Sequence, residues 1–158
     1  MAKLFPTIAK PGQLKEVVRI IKDNKGSIHI STLSKIVKQN IDELLPLLDA
    51  CVMLGIVKLE DGSIALTEQG RKLKQTSIDK YIEKKISNIE PFKSSIMILK
   101  KEGELPTTEL SELLRERGIY LHNETEINAA LLREALYRWA ISYHMLSRDA
   151  RRGLWSAA

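Results

Sequence analysis

Residues 40–70 read NIDELLPLLDACVMLGIVKLEDGSIALTEQG, and the fold turns on them. Asn40 followed by Glu43 is a capping-box pattern, in which the Asn side chain accepts an otherwise unpaired N–H of the first helical turn. Ile41, Leu44, Leu45, Leu48, Cys51 and Val52 then recur at helical spacing and predict one broad core-facing side. Two β-prone runs, 56–60 (IVKLE) and 63–67 (SIALT), flank Asp61-Gly62, a pair that tolerates the positive φ of a two-residue hairpin turn. Thr67 is placed to cap a further helix through EQGRKLKQ.

Upstream, QLKEVVRIIKDNKG (13–26) puts Leu14, Val17, Val18 and Ile21 at helical spacing and ends on Gly26. SIHI (27–30) is short and β-prone. Ser31 or Thr32 is expected to cap the next helix, with Leu33, Ile36 and Val37 on one face. Helix, strand, helix, helix, hairpin is the order of a winged helix-turn-helix module. In such modules one helix is the DNA reader.

Downstream, residues 76–90 are charged and helical in pattern and are expected to connect two modules, with a break at Glu90-Pro91. The chain then repeats itself at an offset of 77, which sets Gly26 on Gly103, Ile28 on Leu105, Leu33-Ser34 on Leu110-Ser111 and Ile36-Val37 on Leu113-Leu114. FKSSIMILKKEG (92–103) predicts a helix with Phe92, Ile96 and Leu99 on one face, and TTELSELLRERG (107–118) a second. Asn123 with Glu126 is a further capping-box pattern opening EINAALLREALYRWA (126–140). ISYHML (141–146) and GLWSA (153–157) are then the expected strands of a second hairpin. The expected fold is mainly α with short β-hairpins, as tandem winged helix-turn-helix modules: 1–75, a helical connector 76–90, and 91–158.

The reader helix has the wrong charge for DNA. No Lys or Arg falls between Ile41 and Leu54, and the acids there are Asp42, Glu43 and Asp49. Asp42, Pro46, Asp49 and Met53 share one outward stripe by spacing. Phosphate binding rests on Lys and Arg, and base reading on Arg, Lys, Asn or Gln; this stripe supplies none, and the hairpin tip, EDGS, is acidic too. The four residues are therefore candidates for contact with a protein, against the blander reading of a solvated face. Pro46 removes a helical hydrogen bond and predicts a kink or a later helix start. The second module differs: Arg133, Tyr137 and Arg138 on its third helix, and Arg148, Arg151 and Arg152 in SRDARRG (147–153), are its candidates for nucleic acid, against arginines that are solvated or paired with Asp149 and Glu134. Trp139 and Trp155 are read as core.

The totals are consistent with a globular binder. The 158 residues are 44% hydrophobic and 28% charged, with a net charge of +5. The excess sits mostly before residue 76, where 12 basic residues face 8 acidic ones. Cys51, the single cysteine, lies in an apolar run and points to a reducing, cytoplasmic setting with a buried, inert thiol. No apolar run approaches the roughly 20 residues that span a bilayer, so no membrane insertion is expected. His29, His122 and His144 lack ligand spacing, no glycine-rich phosphate loop is present, and no Ser, His and acid set stands out. The expectation is a non-enzyme without cofactor or metal.

With the modules laid out, the chain resembles the AAA-associated C-terminal domain, found behind the ATPase of nitrate, sulfonate and taurine-type ABC importers. The likeness is carried by PGQLKEVVRII (11–21), IDELLPLLDACVMLGIVKLEDGSIALTEQGRKL (41–73), GELP (103–106) and LYRWAISYHMLSRDARRGLW (136–155), and covers about residues 6–156. It implies that Pro46 and the acidic stripe belong to the family plan, and a regulatory or docking role beside a transporter ATPase. The chain departs from the pattern in having Ala140 where the family has Gly after Trp, and in carrying no ATPase; with its starting Met it is expected to be free-standing. The favoured expectation is a regulatory or adaptor protein whose partner is a protein, with a transporter ATPase first in line. The alternatives are a homodimeric transcriptional regulator with its second module on DNA, and a sensor with an effector pocket between the modules.

Overall fold

The computed structural model describes residues 5–6, 8–120 and 126–158. It is mainly helical with two small antiparallel sheets. The chain divides into two compact units, Ile8–Ile78 and Asp79–Ala158, the second taking in residues 5 and 6.

In the N-terminal unit, α1 (Pro11–Asp23) buries Leu14, Val17, Val18, Ile20 and Ile21. β1 (Ser27–His29) follows Gly26, whose φ of +87° suits glycine. α2 (Ile30–Val37) begins two residues earlier than a Ser31 cap would allow and three earlier than a Thr32 cap, because the cap is His29: Ser31 N–H donates to its Nδ1 at 3.2 Å. α3 (Ile41–Met53) begins at the predicted cap, with Glu43 N–H donating to Asn40 Oδ1 at 2.9 Å and Asn40 Nδ2 donating to Glu43 Oε1 at 2.8 Å. Pro46 therefore lies inside the helix rather than ahead of it. β2 (Val57–Glu60) and β3 (Ser63–Leu66) join through Asp61 and Gly62, both at positive φ. β1 adds to the other edge of β3, giving the order β1-β3-β2. α4 (Glu68–Lys72) is shorter than the predicted helix, since Leu73 is already extended. Its cap is the predicted one, Gly70 N–H donating to Thr67 Oγ1 at 3.0 Å.

The C-terminal unit uses the same order. α5 (Ile78–Ile86), which belongs to this unit from Asp79 on, buries Ile82 and Ile86. α6 (Phe92–Glu102), β4 (Glu104–Pro106) and α7 (Thr107–Glu116) stand where the 77-residue offset places them. α6 buries Phe92, Ile98 and Leu99, while Ile96 is only half-buried. Phe5 packs edge-on against Phe92 and Trp139, at 5.9 and 4.7 Å between ring centres. Asn123 lies outside the described residues. α8 (Ala129–Ala135) opens after it, on Asn128, whose Oδ1 accepts Leu131 N–H at 2.9 Å; Glu126 instead bridges to Tyr120.

The largest departure follows. The helix continues as a π-helical segment, Leu136–Ile141, and the expected strand at 141–146 forms only at its end, as β5 (Leu146–Asp149). The reason is burial at helical rather than alternate spacing: Leu136, Trp139, Ala140 and Tyr143 all face the core. β6 (Leu154–Ala157) pairs with both β4 and β5. The registers of the two sheets correspond, with Ile28 opposite Ile64 and Leu105 opposite Trp155. Trp139 and Trp155 are fully buried, as their reading required.

Candidate protein-contact site

The outward side of α3 is set by which residues its inward side buries. Leu44, Leu47, Leu48, Ala50 and Cys51 are buried. The core-facing side is thus turned toward Leu47 and Ala50, relative to the side read from spacing. Ile41 and Leu45, expected in the core, are 41% and 42% exposed, and Val52 is half-buried. A run of apolar residues does not itself say which of two neighbouring faces is covered; Leu47 and Ala50 were the signal that placed it.

Asp42 stands exposed on the outward side, with Pro46, Asp49 and Met53 half-buried beside it. The stripe is therefore mixed, acid alternating with aliphatic: Ile41, Asp42, Leu45, Pro46, Asp49. The helix carries acids in its first turn, where the macrodipole favours them, and no base in its last. Beside it, α1, α2 and α3 enclose a groove of about 370 Å³, floored by Val17, Ile20, Leu44 and Leu47 and opening at Ile36. Ile36, which spacing puts on one face with Leu33 and Val37, is 48% exposed, whereas Leu33 is buried. Cys51 offers no chemistry: burial pushes its thiol up to about 12.

The candidates of the C-terminal unit fall into two groups. Arg133, Tyr137 and Arg138 line an open concavity with Ala130 and Glu134. The Arg133 guanidinium lies 5.5 Å over the Tyr137 ring. Arg148 stacks 4.8 Å over Trp155 and 5.9 Å over Tyr137, and its Nη1 donates to Gly153 O at 3.2 Å and to Thr107 Oγ1 at 3.4 Å. That side chain is half-buried and built into its own unit. Arg152 is paired: Nε donates to Asp149 Oδ2 at 2.7 Å, and Nη2 lies 2.8 Å from Glu104 Oε2. Those hydrogen bonds hold the Asp149 carboxyl below its ordinary range and the Arg152 guanidinium above its own. Arg151 is exposed, its N–H donating to Asp149 Oδ1. Among the described residues, no group of three or more His, Cys, Asp or Glu side chains is placed to hold a metal ion, and no helix is long and apolar enough to cross a membrane.

Residues 31–149, about three quarters of the chain, match the family described as the C-terminal AAA-associated domain. No curated protein matches the chain.

Proposed function

The chain belongs to the C-terminal AAA-associated domain family, and from that premise we propose that it is a non-enzymatic, tandem winged-helix regulatory or adaptor protein that works through protein contacts in connection with an ABC transporter ATPase. The observation that carries the reading is the outward side of α3. It lies where a winged-helix reader would meet phosphates, yet offers Asp42 and Asp49 with exposed Ile41 and Leu45 and no cation. Exposed aliphatics beside charges suit a protein surface. The contact residues are Asp42, Pro46, Asp49 and Met53, with Ile41 and Leu45 added by the packing of the helix. The shared order helix, strand, helix, helix, hairpin, α1 to β3 in one unit and α6 to β6 in the other, supports two winged-helix modules.

A second reading, DNA binding through the C-terminal unit, draws on Arg133 and Arg138 in their open concavity. It is weakened by Arg152, held by two carboxylates, and by Arg148, stacked on Trp155. One titration separates the readings. Mixed-sequence duplex DNA is added to the protein over a range of salt, in parallel with a purified importer ATPase subunit. The proposal expects no DNA binding at low salt, and capture of the ATPase that is lost in Asp49→Lys/Met53→Lys. DNA binding that falls steeply as salt rises, or ATPase capture unchanged in that variant, refutes it.

A further inference from the structure

The two units present equivalent helices with different surface chemistry. α3 has thirteen residues, and α8 with its π-helical continuation has seven followed by six. Each is capped by an Asn whose Oδ1 accepts the N–H of the third helical residue. At an offset of 88, the fully buried Leu44, Leu48 and Cys51 correspond to the fully buried Leu132, Leu136 and Trp139. The inward sides therefore match, and the outward positions can be compared one by one. Asp42, Leu45 and Asp49 of α3 stand where the second helix has Ala130, Arg133 and Tyr137.

Across Ile41–Met53 there are three carboxylates and no cation; across 129–141 there are two arginines and one glutamate. The first face adds aliphatic surface at Ile41 and Leu45, and the second adds Tyr137, 38% exposed beneath Arg133. Ile41, Asp42 and Leu45 stand exposed on the first face, and Arg133 and Tyr137 on the second. Tyr and Arg are the side chains most enriched at the centres of protein contacts, and an acidic, aliphatic face is their electrostatic complement.

We propose that the two faces are each other's partners between two copies of this chain. The α3 face of one copy seats on the Arg133–Tyr137 face of the other, and in a two-fold pair the contact forms twice. The proposal rests on the reading of the α3 face as a protein contact and names its occupant. A second copy there competes with any other partner, so self-association makes that surface available only to the monomer.

The test is sedimentation equilibrium of the full chain from micromolar to millimolar concentration, at low and high salt. A dimer is expected at low salt, loosening as salt screens the pairing. Arg133→Glu and Asp42→Lys each remove one side's charge at exposed positions, and each is expected to weaken the dimer roughly tenfold or more. The double variant restores opposite charges and is expected to associate nearly as the parent does. Arg151→Glu, exposed but outside both faces, leaves association unchanged. Far-UV circular dichroism verifies the fold of each variant. A monomer at every concentration overturns the proposal, as does a dimer indifferent to both single reversals or a double variant no tighter than either single one. A monomeric chain that still captures the ATPase through Asp49 and Met53 loses this occupant and keeps the α3 contact.

Discussion

Gly70→Ala is expected to destabilise the N-terminal unit by about 2–4 kcal/mol, although alanine is the better helix former. Gly70 is buried in α4, and a Cβ built there meets the Ile56 carbonyl oxygen at 2.1 Å, its carbon at 3.1 Å and Ile56 Cγ2 at 3.3 Å. The oxygen cannot simply move aside. It accepts Thr67 N–H at 2.9 Å, and the Thr67 hydroxyl donates to Gly55 O at 2.6 Å while accepting Gly70 N–H at 3.0 Å. Retreat to ordinary contact distance pulls the start of β2 from the cap of α4. Overpacking of this kind costs about 1–3 kcal/mol, and a buried carbonyl that loses its partner costs about 1–3 more. The gain in helix propensity returns at most about 1 kcal/mol. Urea denaturation followed by circular dichroism measures the balance. Gly12→Ala is the control: it is also helical, but its added Cβ meets nothing within 4 Å. It is expected to be neutral or stabilising by up to about 1 kcal/mol. A Gly70→Ala protein within about 0.5 kcal/mol of the parent, the range of harmless surface changes, would refute the reasoning and show that β2 and α4 separate freely.

Two further predictions concern the C-terminal unit. Thr107→Val leaves the indole N–H of the fully buried Trp155 without the oxygen it now reaches at 2.8 Å; a loss of about 1–3 kcal/mol is expected in urea, with Thr107→Ser close to the parent. Acid is expected to weaken the β5–β6 hairpin through Asp149. Because its folded pKa is depressed by Arg152, the stabilisation is present above the ordinary carboxylate range and is lost as pH falls through the lowered folded value. Arg152→Ala reduces this dependence and leaves the part owed to the backbone N–H groups of residues 151 and 152, which urea midpoints collected across the acid range would reveal.

The legibility of this chain in its sequence varied with how local each decision is. The Asn40 and Thr67 caps and the Asp61-Gly62 turn are set by contacts within a few residues, and pattern reading placed them. The 77-residue repeat held through α7 and then lapsed. Twelve residues separate α7 from α8 where three separate α2 from α3, so the third helices lie 88 apart, and no single offset aligns the two halves. The candidate site was half legible. Its acids were evident from composition, but Ile41 and Leu45 were assigned to the core because either rotation of α3 gives an apolar side.

What the sequence by itself determined is the order of elements and the absence of cations on α3, since periodicity, caps and charge are properties of neighbouring residues. Tertiary structure alone decided three things. It chose which side of α3 is covered, because Leu47 and Ala50 pack inward and Leu45 does not. It carried the last helix on to Ile141, because Trp139 and Tyr143 are buried on the same side of that turn. It also drew Arg148 onto Trp155 and Arg152 to Glu104, residues that strand pairing brings beside them. In each case the deciding partner is distant in sequence or lies on a different element, and a charge or an apolar run carries no record of it.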